Sequence, residues 1–254
     1  MKLPGFVPED LRQLARFVPT RGWDAVEWRP LTRSLRQISW QFVSGSGVKA
    51  LGREVQEAVP GIAVLSRIDR DESLERVEDP EVLQQAGDEL IRLYFSQWLI
   101  EDGLFLDLRP ARLGWEDCLL FAPNGLWIQL RDDFREGMVA LYRSFYSDDE
   151  QALDAALRRM GMLPDGLDPA TEEELKGLLQ AHFGVEQSAQ RFSIDAFKES
   201  FDQLFEFFIE HDYTLHSDFV FVGFYLITLY LSLERFGQAH DVRAICSEVL
   251  LSGD

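Results

Sequence analysis

The sequence predicts an α+β fold that is predominantly helical. Three observations predict it. Apolar residues recur at three- and four-residue spacing through most of the 254 residues. Short β-rich runs with turn residues fall in only two places, 62–77 and 104–130. No sustained strand–helix alternation links them, which argues against a doubly wound parallel sheet.

Element by element, residues 8–18 form a helix that opens near Pro8, with Leu11, Leu14, Ala15 and Val18 on one face. Leu31, Leu35 and Ile38 mark a second helix. Leu51, Val55 and Val59 mark a third, stopped by Pro60-Gly61. "GIAVLSRIDRDESLERVED" reads as a hairpin: Ile62–Ile68 runs out, Asp69–Ser73 turns, and Leu74–Val77 returns. Asp79-Pro80 opens a long helix as cap and first-turn proline, carrying Leu83, Ala86, Leu90, Leu93, Tyr94 and Trp98. Three short strands follow: Leu104–Leu106, Cys118–Phe121 and Leu126–Leu130, the last two joined by the turn "APNG". Beyond Phe134 the chain is helical. Ser147 with Glu150 and Thr171 with Glu174 have capping-box spacing, Gly184 is a stop, and Asp218 caps the last apolar helix.

Composition narrows the function. The chain is 46% hydrophobic and 27% charged, with nineteen Phe and six Trp, a globular profile with a bulky aromatic core. Net charge is −19, unevenly spread. Residues 1–70 hold 11 basic and 7 acidic side chains, and residues 71–254 hold 14 and 37. So acidic a body disfavours DNA, RNA and anionic lipid. Two cysteines, Cys118 and Cys246, give no disulfide framework and point to a reducing, cytoplasmic setting. "MKLPGFVPED" lacks the apolar run of a signal peptide. The longest apolar run, Phe219 to Leu233, is shorter than the roughly 20 residues a spanning helix needs, so it reads as a core helix and no transmembrane segment is expected.

Two stretches carry motif-like chemistry. "GSGVKA", Gly45 to Ala50, matches G-x-G-x-x-A, and Asp69 stands about 20 residues on, the dinucleotide-binding order. The βαβ alternation then stops, and Ser39 and Gln41 precede the motif where a buried strand is apolar. A Gly-Ser loop between helices is the better reading. His182, His211, His216 and His240 show no metal-site spacing, and G-x-S-x-G is absent. The second stretch is "FLDLRPAR". Protein kinases use an Asp to accept the substrate hydroxyl proton, an Asn five residues later for Mg²⁺, and a second Asp after a hairpin. Asp107 with Leu108-Arg109-Pro110 echoes that loop, and a hairpin follows.

From Pro8 onward the chain resembles the UbiB/AarF family of atypical protein-kinase-like proteins. "PGIAVLSRIDRDESLERVED" looks like the family's strand pair before the hinge, and "DGLFLDLRPARL" is similar to its "GFFHADPHPGNL" loop. "NGLWIQL" resembles the strand before D-F-G. "REGMVALYRSFYSDDEQALDAALRRMGML" resembles the two helices after the activation segment, and "HDYTLHSDFVFVGFYLITLYLSLERF" the late apolar helix. The resemblance implies a reduced N-terminal lobe over residues 1–78 and a helical kinase-like C-lobe over 79–254.

The departures from the family pattern bear on activity. In H-x-D-x-x-x-x-N register, Asp107 keeps the Asp, Phe105 replaces His, and Arg112 replaces the metal-binding Asn. Arg is always cationic and does not ligate Mg²⁺. The D-F-G Asp falls at Arg131, with Asp132 and Asp133 adjacent. Gln37 and Ser39 stand where E-x-D is expected, and Lys2 is the one trace of the strand that carries the nucleotide-binding Lys. The chain stops at "LLSGD", where a membrane-anchoring tail would follow.

The expectation is therefore a non-catalytic, pseudokinase-like binding or scaffold protein. It needs no cofactor and works beside a protein partner. The resemblance adds a link to isoprenoid-quinone or lipid metabolism, with a hydrophobic or isoprenoid ligand. One alternative is a divergent ATP-dependent phosphotransferase or ATPase, with Asp107 as base and Mg²⁺ held by Asp132 or Asp133. The other is an acidic adaptor docking a basic protein.

Overall fold

The computed structural model describes residues 3–147, 149–163, 166–183 and 189–251. Lys2, Gly184 and the C-terminal Ser252–Asp254, singled out above, lie outside them. The side chains of Ser147 and Glu150 are likewise not described.

The helical reading holds through the N-terminal third. Helix α1 (Glu9–Leu14) is followed by α2 (Trp28–Ser44) and α3 (Val48–Ala58). Gly45 and Gly47 link the last two with φ of +65° and +79°. The G-x-G segment is thus an interhelical loop, and "ISWQFV" is helix. Gly47 is required: a Cβ there would enter the ring of Trp127, whose Nε1 donates to the Ser46 carbonyl at 2.9 Å.

The expected hairpin over 62–77 is not formed. Strand β1 (Ile62–Val64) instead pairs in parallel with a later strand. After α4 (Pro80–Gln97) come β2 (Leu104–Phe105), β3 (Leu113–Trp115), β4 (Leu119–Phe121) and β5 (Trp127–Ile128). One sheet has the order β1-β4-β3, and β2 pairs antiparallel with β5 in another. The returning segment lies along β3: Leu74 N donates to Leu113 O and Trp115 N to Glu72 O. β4 is Leu-Leu-Phe and buried, so it takes a partner on each edge, and a period-two pattern does not encode which partner. "APNG" likewise joins strands of different sheets.

The rest is helical: α5 (Asp132–Ser147), α6 (Glu150–Met160), α7 (Pro169–Phe183), α8 (Ile194–Glu210), α9 (Ser217–Phe236) and α10 (Val242–Cys246). A two-stranded ribbon pairs β6 (Gln190–Arg191) with β7 (Ala239–His240). Asp79 caps α4 as expected, accepting from Glu81 N at 2.9 Å. Three other caps differ from expectation. Asp149 rather than Ser147 caps α6, and Asp168 rather than Thr171 takes the free N–H groups of α7. At α9, His216 Nδ1 accepts from Asp218 N at 3.1 Å.

One apolar core runs from Val7 to Leu250. At its centre is α9, long and apolar enough to cross a membrane, yet 83% buried within the fold. Phe197, Phe201 and Phe205 of α8 pack against it, and Tyr94 stacks on Tyr225 at 4.7 Å.

Candidate functional site

The candidate site is the loop Leu106–Arg112, between β2 and β3. Two hydroxyls one turn apart on α9 grip its backbone. Thr228 Oγ1 donates to Leu106 O at 2.9 Å and lies 3.1 Å from the donating Leu108 N. Ser232 Oγ donates to Leu108 O at 2.6 Å. From α4, Gln97 Oε1 accepts from Phe105 N at 2.8 Å, and its amide donates to Tyr225 at 2.6 Å. The polar positions of an otherwise apolar helix thus satisfy a buried irregular loop.

Asp107 is only 1% exposed, between flanking leucines that are fully buried. Its Oδ1 accepts from Arg109 Nε at 2.7 Å and from Arg109 N at 3.3 Å. Its Oδ2 accepts from Arg109 Nη2 at 2.8 Å, Asn124 Nδ2 at 2.7 Å and Arg112 Nε at 3.2 Å. Arg109 Nη2 also binds Asp10 of α1, 99 residues away in sequence. Burial pushes the Asp107 carboxyl up, but Arg109 and Arg112 outweigh it and hold the group below the usual carboxylate range. Arg109 is correspondingly raised, chiefly by its bond to Asp107.

An ionised carboxylate offers about four lone-pair sites, and five N–H contacts occupy them here. A general base must also reach the proton it takes. In this arrangement Asp107 joins α1, the loop and the segment after β4 as a strut.

Of the other residues singled out from sequence, Arg112 joins Asp107. Arg131 belongs to a different cluster: its N and Nε reach Asp218 Oδ2 at 3.3 and 3.4 Å, and Nη1 reaches Asp133 at 3.3 Å. Asp132 and Asp133 open α5, where Asp133 accepts from Phe134 N. Among the described residues, no group of three His, Cys, Asp or Glu side chains could hold a metal ion.

Sequence reasoning missed Asn124, Arg109 and Asp10. Asn124 read as a turn residue, and its Oδ1 does accept from Leu126 N at 3.0 Å, while its amide reaches Asp107. Arg109 was visible in D-L-R-P. Asp10 carries no local signal.

Two cavities matter. The aromatic core contains a small cavity of about 30 Å³ lined by residues including Tyr94, Tyr142, His182 and Tyr230, room for a water. A larger cleft of about 660 Å³ lies between α3, β1 and Pro123–Gly125. Neither the models of protein families nor the curated proteins contain a match to this sequence.

Proposed function

We propose that the chain is a non-catalytic, kinase-like binding or scaffold protein, acting in the cytoplasm beside a protein partner. The observation that carries this reading is the burial of Asp107 beneath Arg109, Arg112 and Asn124. Phosphoryl transfer depends on a base free to take the hydroxyl proton and on metal ligands beside it. Asp107 is neutralised by fixed cations, and Arg131, Asp132 and Asp133 lie in a separate cluster tied to Asp218. The phosphotransferase reading needs Arg109 and Arg112 both to leave Asp107, exposing a desolvated charge.

The likeness to the UbiB/AarF family enters as a proposal on the residues quoted above. The order loop, β3–β4 hairpin, and a polar residue returning to Asp107 supports it. A role in quinone or lipid metabolism rests on that resemblance alone, through fold-level analogy.

Thermal unfolding with ATP, ADP and AMP, each with and without Mg²⁺, tests the reading. A ligand that binds only the folded state raises its stability by mass action. The expected result is no Mg²⁺-dependent shift. A Mg²⁺-dependent rise in Tm that disappears in Asp133→Asn would overturn the proposal and restore the enzyme.

A further inference from the structure

We propose that the groove between α3 and the outer edge of β1 takes an extended, acidic peptide segment as an added strand. The inference rests on the binding-protein reading only in taking the chain to act by association.

The sheet order β1-β4-β3 leaves β1 at an edge. Leu65 N donates to Phe121 O at 2.8 Å, so the backbone groups of Leu65 and Ala63 face β4. Those of Ile62 and Val64 therefore face outward by the alternation of a parallel strand. Two of these outward groups are held by one side chain. Gln56 of α3 donates through Nε2 to Ile62 O at 2.8 Å and accepts through Oε1 from Val64 N at 2.7 Å. A primary amide that donates to Ile62 O and accepts from Val64 N makes the two bonds that the N–H and C=O of one residue make in a parallel neighbouring strand. Exposed strand edges are commonly blunted in this way or recruited by partners.

The groove has room for such a strand. The cleft of about 660 Å³ is walled by Val48, Lys49 and Arg53 on α3, by Val64, Leu65 and Ser66 on the strand side, and by Pro123–Gly125 beyond β4. Leu65 is 37% exposed there, an apolar contact for an incoming side chain. The three residues that line it on the strand side, Val64 to Ser66, match about 10 Å of added strand at ~3.3 Å per residue.

Charge selects the peptide. Lys49 and Arg53 stand four apart on the exposed face of α3, and neither is in an ion pair among the described residues. Glu54 and Glu57 of the same helix are not among the residues that line the cleft, where no acidic side chain stands beside Lys49 and Arg53. In a chain of net charge −19 this is a local cationic wall, suited to acidic side chains and repelling basic ones. A small organic anion would satisfy Lys49 and Arg53 but make no use of the strand edge. The Gln56 amide, already bonded as a strand would be, favours a peptide.

Binding displaces Gln56, so the plug competes with the partner. A displayed library of random linear peptides, selected against the wild-type protein and the Lys49→Glu/Arg53→Glu variant, tests this. The selected peptides are expected to alternate Asp or Glu with β-branched residues and to lack Pro within the core segment. Their affinity, read by fluorescence polarisation, is expected to fall about tenfold or more in the charge-reversed variant. It is expected to fall similarly when alternate peptide nitrogens are methylated, and to rise in Gln56→Ala. The three positions are exposed, so Tm near wild type confirms that each variant folds.

Three results overturn the proposal: no enrichment over the charge-reversed protein, binders indifferent to N-methylation, or weaker binding in a folded Gln56→Ala. The second would mark a site for anions alone. None of these bears on the nucleotide test above, and a Mg²⁺-dependent nucleotide shift would leave the peptide selection standing.

Discussion

Asn124 donates its side-chain amide to Asp107 Oδ2 at 2.7 Å, and this bond ties the segment after β4 to the loop after β2. With Arg109 and Arg112 it closes a buried network around a single carboxylate. Removing that charge leaves two guanidinium groups facing a neutral amide. Asp107→Asn, nearly isosteric, is expected to cost about 3 kcal/mol of folding stability, the scale for breaking one side of a buried pair. Urea unfolding measures it. A cost below about 1 kcal/mol would mean that the arginines relax readily to water and that Asp107 is no strut.

Among the described residues, Asp10 enters the network through Arg109. Asp10→Ala is expected to cost about 1 kcal/mol in the wild-type protein and close to nothing on an Arg109→Met background, because the interaction is pairwise. Equal costs in both backgrounds would sever α1 from the site.

The grip of α9 on the loop has its own test. Thr228 Oγ1 serves both Leu106 O and Leu108 N, in a position with no access to water. Thr228→Val keeps the shape and strands both groups, for a loss of about 2 kcal/mol. Thr228→Ser retains the hydroxyl and is expected to recover more than half of that difference. A valine variant as stable as wild type would show that the loop finds other partners.

Much of this was legible in the sequence, and what was not has physical reasons. Helices α2, α3 and α4 follow from 3.6-residue periodicity, and Asp79-Pro80 marks a start with no rival cap nearby. The starts of α6, α7 and α9 each offer several cap-capable residues within three positions. Which one adopts the extended capping backbone depends on the preceding turn, so Asp149, Asp168 and His216 took the role. Strand β3 was missed because Gly114 lowers its apparent β-propensity. That glycine is needed, since a Cβ there would press on Ile68 at 2.8 Å and on Glu72 O at 3.0 Å. Asp107 announced itself through D-L-R-P. Its partner Asn124 and Arg109's partner Asp10 did not, because contact across 17 and 99 residues is a property of the folded chain alone.

The two thiols are expected to differ in reactivity. Cys246 is fully buried, and that burial pushes its pKa up to about 12, so almost no thiolate forms at neutral pH. Cys118 is half-buried. A disulfide reagent at pH 8 is expected to label one thiol quickly in the native protein and two after denaturation, with the fast phase absent in Cys118→Ser. A fast phase surviving that substitution would place Cys246 within reach of solvent.

His182 sets a pH dependence whose sign can be worked out. Its ring lies between α7 and α8, stacked on Phe201 at 5.6 Å, with Nδ1 2.9 Å from Ser200 Oγ. Burial depresses its pKa to about 3, from an ordinary value near 6.5. Above pH 6.5 the imidazole is neutral in both folded and unfolded chains and contributes no slope. Between 6.5 and 3 the unfolded chain takes up a proton that the folded chain refuses, so stability falls with acidity by about 1.4 kcal/mol per pH unit. Asp107, with its lowered pKa, adds a loss only further into acid. His216, also lowered by burial, acts in the same direction as His182, whereas the raised carboxyls of Glu54 and Asp202 act oppositely. All four persist in His182→Gln, so the difference between the two proteins isolates the imidazole. Wild type is expected to lose about 2 kcal/mol more than the variant between pH 7.5 and pH 5. Parallel stability curves over that range would mean that the His182 pocket opens and admits the proton without unfolding.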